Sequence, residues 1–139
     1  MSRFNITVGS EGAAIGVMAD MLDQGITSRS YSNITTGTSS TASAATFVSS
    51  AYYLSGGTTY ALTTPTAAQI VAAIVNPEVS SAFIVTIHNA NSGTATLTAG
   101  SGVTITGLNT AATGTARSWI FIVTNATAGS EAVVAVPKN

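Results

Sequence analysis

A chain of 139 residues has room for one domain, or one domain and an arm, and for a core that needs no covalent staple. The absence of cysteine excludes disulfides and thiolate metal sites. Only 6% of residues are charged and the net charge is −1, which leaves no basic footprint for nucleic acid and no polybasic patch for a membrane surface.

The first 45 residues hold five of the nine charged side chains: Arg3, Glu11, Asp20, Asp23 and Arg29. The opening MSRFNITVGSEG lacks the basic and apolar regions of a signal peptide. In GAAIGVMADMLDQG, Ile15, Met18, Met21 and Leu22 share one side of a short helix that Gly25 stops. Ser28 to Ala45 is Ser/Thr-rich without sustained apolar periodicity, so it is expected to be extended or irregular. Residues 1–45 therefore read as an N-terminal arm that grips a neighbour, with residues 46–139 as the folded domain.

From Thr46 the texture is that of strands. TFVSSAYYLSGGTTYAL predicts strands over Thr46–Leu54 and Thr58–Leu62 joined by Ser55-Gly56-Gly57. Phe47, Tyr52, Tyr53 and Tyr60 suit a half-buried pleated surface. Thr66 with Gln69 three residues on forms a capping box for one short helix to about Val75. Its apolar face is Ile70, Val71 and Ile74, and Pro77 prevents continuation. Ser81–Asn89 alternates Phe83, Val85 and Ile87 against Ile84, Thr86 and His88. TLTAGSGVTITG, Thr96 to Gly107, reads as a hairpin over Gly-Ser-Gly.

Arg117–Asn125 is apolar on both faces, Trp119, Phe121 and Val123 opposing Ile120 and Ile122. Such a strand is central and covered twice, or its second face meets another subunit. Glu131–Val136 is the last strand. No apolar run approaches the ~20 residues of a spanning helix. A chain so poor in charge is prone to associate. It is expected to be an obligate oligomer, with Ile15, Met18, Met21, Leu22, Ile120 and Ile122 as candidate interface residues.

Catalytic chemistry finds little to stand on. His88 is the only histidine and reads as structural; no G-x-S-x-G accompanies it, and no acid is near it in sequence. Asp20 and Asp23 read as a solvated helix face rather than a calcium site. No metal or cofactor site is expected. The G-x-G of GSGVTITG lies between strands, so no helix N-terminus awaits a phosphate there.

Three segments, ALTTPTAAQIVAAI, FIVTIHNANSGTATLTAGSGVTITG and TARSWIFIVTNATAGSEAVVAV, occur in an order that resembles virion structural proteins of tailed phages and some large viruses. The likeness runs from about Ala61 to Val136. It implies a capsid decoration (cement) protein on the virion surface. Such a protein is a homotrimer bound to the major capsid protein, folded as a jelly-roll-like antiparallel β-sandwich with one short helix. A second reading is a receptor-binding or fibre-tip module for host glycans, with Tyr52, Tyr53, Tyr60 and Trp119 as the aromatics to watch.

Overall fold

The computed structural model describes residues 30–48 and 50–138. The protein is mainly β, built from two sheets whose inner faces share one core. The strands are β1 (Ser30–Ile34), β2 (Ser39–Thr41), β3 (Ser50–Leu54), β4 (Tyr60–Thr63), β5 (Ala82–Asn89), β6 (Ala95–Thr98), β7 (Val103–Ile105), β8 (Thr110–Ala111), β9 (Thr115–Asn125) and β10 (Ala132–Lys138). Two short helices, α1 (Ala44–Phe47) and α2 (Ala67–Ala73), follow β2 and β4. One sheet runs β1-β3-β5-β9-β10-β7 and the other β2-β4-β6-β8.

The first six strands wind as a coil. Each strand of the larger sheet turns a corner and continues as a strand of the smaller one, so β1, β3 and β5 stack in parallel, and so do β2, β4 and β6. Antiparallel pairing enters only where β9 joins β5 and β10, and where β8 joins β6; β7 returns parallel to β10. The expected antiparallel pairing is therefore corrected. Among the described strands five ladders are parallel, unlike the antiparallel Greek-key pairs of a jelly roll.

Both expected close strand pairs are also corrected. β3 and β4 belong to different sheets, as do β6 and β7. The glycines that look like hairpin turns do another job. A Cβ on Gly56 would lie 1.5 Å from the Thr35 carbonyl oxygen, and one on Gly93 would lie 2.5 Å from that of Thr58. Glycine is thus what lets one corner rest on the backbone of the corner before it. The Gly100–Gly102 turn wraps the start of α2 instead of reversing a hairpin: Ala67 N donates to Ser101 O at 2.8 Å, and Gly100 N donates to Thr64 Oγ1 at 2.8 Å.

Residues 30–45 are likewise not an arm. β1 pairs with β3, β2 pairs with β4, and Ala42 reaches the core. The expected helix of residues 12–25 and the rest of the arm, residues 1–29, lie outside the described residues. Phe47, placed by its sequence in a strand, ends α1 instead and is fully buried. There it meets Phe121 edge-on at 5.0 Å between ring centroids, while Phe83 stacks on Phe121 at 5.3 Å. Such offset and edge contacts add to what burial alone supplies.

The helix expected from Thr66 is α2. Gln69 N donates to Thr66 Oγ1 at 3.2 Å and Thr66 N to Gln69 Oε1 at 3.0 Å, closing the capping box. Ile70 and Val71 bury against the sheets, and the helix ends at Ala73 because Ile74 is already extended. In β9 the inward residues Trp119, Phe121 and Val123 are fully buried. The Trp119 indole also donates to Leu108 O at 3.0 Å, so its one polar atom is satisfied.

Candidate interaction face

Among the described residues, the outer face of the six-stranded sheet is the most distinctive surface. Side chains alternate along a strand, so what points away from the core on β5, β9 and β10 follows from what points into it. With Val85, Trp119 and Ala135 inside, Ile84, Ile120 and Val136 lie side by side outside, in register across three strands. The next row joins Ala82, Ile122 and Val134. Ile84 and Val136 keep 37% and 38% of their surface exposed, and Ile120, Ile122 and Val134 are half-buried. A hydroxyl pair, Thr86 Oγ1 and Ser118 Oγ at 2.7 Å, bounds this apolar area along β5 and β9.

Beyond that pair the same face becomes aromatic. Asn33, Tyr53 and His88 are in register across β1, β3 and β5. The Tyr53 ring packs 4.9 Å from the His88 ring, and Tyr31, 65% exposed, meets Tyr53 edge-on at 6.3 Å. His88 is exposed. Among the described residues no three His, Cys, Asp or Glu side chains gather as a metal site would need.

Of the candidate interface residues, Ile120 and Ile122 fall on the apolar outer face, while Ile15, Met18, Met21 and Leu22 lie outside the described residues. Of the aromatics named for a glycan, Tyr52, Tyr60 and Trp119 are buried in the core, and only Tyr53 is at the surface. Tyr31, Ile84, Val134 and Val136 belong to the face and were not singled out. The signal for Ile84 was the same alternation that marked Phe83, Val85 and Ile87 as core.

Polar groups that are buried hold the corners of the coil. Asn89 is fully buried; its Nδ2 donates to Gly93 O at 2.8 Å and Ala111 O at 2.9 Å, and its Oδ1 accepts from Asn91 N at 3.0 Å. Asn91 Oδ1 in turn accepts from Gly57 N at 3.0 Å, tying one corner to the next. These side chains are occupied by backbone and have a structural role. Tyr52 differs: its hydroxyl is buried without a well-formed hydrogen bond. Burial pushes its pKa up, opposed in part by the nearby Thr46 and Ser50 hydroxyls.

Comparison with known proteins yields no relative. No family model, curated protein or solved structure matches the chain. The outer face must be read on its own chemistry.

Proposed function

We propose that the protein is a non-enzymatic virion structural protein that decorates or cements a capsid surface. It does so as a homo-oligomer, a trimer by the resemblance, with the major capsid protein as its further partner. The observation that carries this reading is the apolar outer face, Ile84, Ile120 and Val136 beside Ile122 and Val134, on a chain with only 6% charged residues. Contiguous apolar patches rimmed by polar residues mark interaction sites. Burying this one between copies removes it from water without any ionisable group. A jelly-roll winding is not part of the proposal, because rigid stacked strands serve a shell equally well in a parallel coil.

Sedimentation equilibrium at micromolar concentration tests it. The protein is expected to be oligomeric, equally at ~0.05 M and ~1 M salt, since apolar contacts are indifferent to a Debye length that falls to about 3 Å. Ile120→Lys with Ile122→Lys is expected to give a folded monomer, since both side chains point out of the core. A monomeric parent protein refutes the reading. A labelled antibody on the source particles then gives the location, with a regular lattice expected.

The second reading, a fibre-tip module for host glycans, is favoured by the exposed Tyr31 and His88 that flank the half-buried Tyr53. Flat aromatic faces beside an amide such as Asn33 are the groups that bind sugar rings. Label confined to tail tips, with loss of cell binding in Tyr31→Ala and Tyr53→Ala, is the outcome that would replace the first reading with this one.

A further inference from the structure

The apolar outer face carries charge at its two ends, sorted by sign. Among the described residues the charged side chains are Glu78, Arg117, Glu131 and Lys138. Glu131 directly precedes β10, and Lys138 is the last residue of β10, level with Ser118 of β9. Glu78 precedes β5 at the same end as Glu131, because Ser80 N donates to Val123 O at 2.8 Å and ties this segment to the far part of β9. His88 lies near the other end of β5, level with Ala116, and Arg117 is near the start of β9 there. Both acids thus sit at one end of the apolar area, and both bases, with the histidine, at the other.

These opposite charges cannot meet within one chain. Lys138 shares the outward side of β10 with Val134 and Val136, and it is exposed, as are Glu78 and His88. Glu131 is half-buried, one carboxylate oxygen accepting from Gly129 N at 2.7 Å. From Glu131 to Lys138 the extended strand spans about 23 Å at ~3.3 Å per residue. An ion pair reaches only ~4 Å.

A second copy can bring them together. Sheets packed face to face keep their strand directions within about 30° of each other, ~10 Å apart. With a two-fold axis between the sheets and across the strands, β10 of one copy runs antiparallel over β10 of the other, and β5 over β5. Lys138 then lies over Glu131 of the second copy, and His88 over the Glu78 end of its β5. The row of Ile120 and Val136 meets the row of Ile122 and Val134. One patch serves both copies, as a two-fold contact requires. With the axis along the strands the acidic ends would meet instead, and like charges brought together are costly. Three copies with strands along a threefold axis would cluster them in the same way.

We infer that the occupant of the outer face is a second copy of this chain, packed antiparallel about a two-fold axis with the Lys138 end of each β10 on the Glu131 end of the other. The apolar centre supplies the affinity; charges at the rim add little to it and select the orientation. The inference rests on the outer face being a contact between copies, and a threefold contact then uses another surface.

Lys138 is the only lysine in the chain, which makes the test specific. A carbodiimide joins a lysine amine to a carboxylate as an amide, taking up the water as a urea, and only where the two groups touch. The parent protein is expected to give a covalent dimer on denaturing electrophoresis, whose peptides include Lys138 joined to Glu131. Glu131→Gln is expected to lose that link and to remain oligomeric in sedimentation. Ile120→Asp with Ile122→Asp is expected to lose the link and the oligomer together, with circular dichroism unchanged. A parent that sediments as an oligomer but lacks the link overturns the two-fold pairing and leaves the outer-face reading standing. Rapid oxidation of Lys138→Cys to a disulfide dimer does the same, since it puts like ends together. A link found in the monomer band, or one that survives the double variant, also overturns the pairing. A monomeric parent overturns both.

Discussion

Asn89→Leu separates a structural amide from ordinary core filling. Asn89 holds the inward position that Leu54 occupies one turn earlier, so packing alone would welcome a leucine there. The amide, however, makes three hydrogen bonds to backbone: to Gly93 O, to Ala111 O and from Asn91 N. At about 1 kcal/mol net for each bond, their loss costs ~3 kcal/mol, and stranding buried partners makes this a lower bound. Burial of the leucine side chain offsets ~1.5 kcal/mol. The expected balance is a destabilisation of about 2 kcal/mol, with Asn89→Ala worse because it lacks the offset. Urea unfolding followed by emission of Trp119, the single tryptophan and fully buried, measures it directly. The bond to Ala111 links β5 to β8 in the other sheet, so exchange at β8 amides should also quicken. An unchanged or raised urea midpoint for Asn89→Leu would refute the reasoning, since the column would then be apolar packing and nothing more.

Gly56→Ala is expected to cost about 3 kcal/mol, because its Cβ meets the rigid Thr35 backbone at 1.5 Å and the corners must part. Gly57→Ala, whose Cβ would sit 3.3 Å from Gly37 O, should cost well under half as much; equal melting temperatures for the two variants would contradict stacked corners. Tyr52 gives a pH signature. Its folded pKa is raised above the ordinary value of 10.0, so above that pH the unfolded chain loses the proton first and stability falls as pH rises. Tyr52→Phe should flatten that alkaline loss in urea titrations, and at neutral pH it should be neutral or slightly stabilising, because it removes a buried hydroxyl without a well-formed bond. A steeper alkaline loss in the variant would show the folded pKa to lie below the ordinary value and refute the burial argument.

Strand content was legible where one face of a strand is buried. The alternation in Phe83–His88 and Trp119–Val123 matches inward and outward positions of β5 and β9, and Thr66 with Gln69 marked the start of α2. Direction and sheet membership were not legible, for a physical reason. A glycine cluster between two apolar runs signals only that the backbone must pass close to something or bend. Whether it reverses the chain or turns it into a second sheet depends on contacts twenty or more residues away. β1 and β2 were hidden for another reason: β2 is exposed along its whole length, so no apolar alternation betrays it. α1, four residues long, is shorter than any periodicity can register. Half of the interaction face was visible in Ile120 and Ile122; its neighbours on β5 and β10 needed the register.

The reversal of chain direction at β9 has a consequence for how such a protein can vary in size. On that side β5 and β6 are closed by antiparallel strands, β9 and β8, which cannot be followed by another copy of the corner. Among the described residues the β1 side keeps the parallel, repeating geometry. Duplication of a strand-corner-strand unit is therefore tolerated in one direction only, each copy lengthening both sheets by about 4.8 Å. Growth by that route would leave Trp119, the aromatic nest around Phe121 and the outer surface of β9 and β10 untouched. A lineage built on this plan can widen its two sheets while keeping the same outer face.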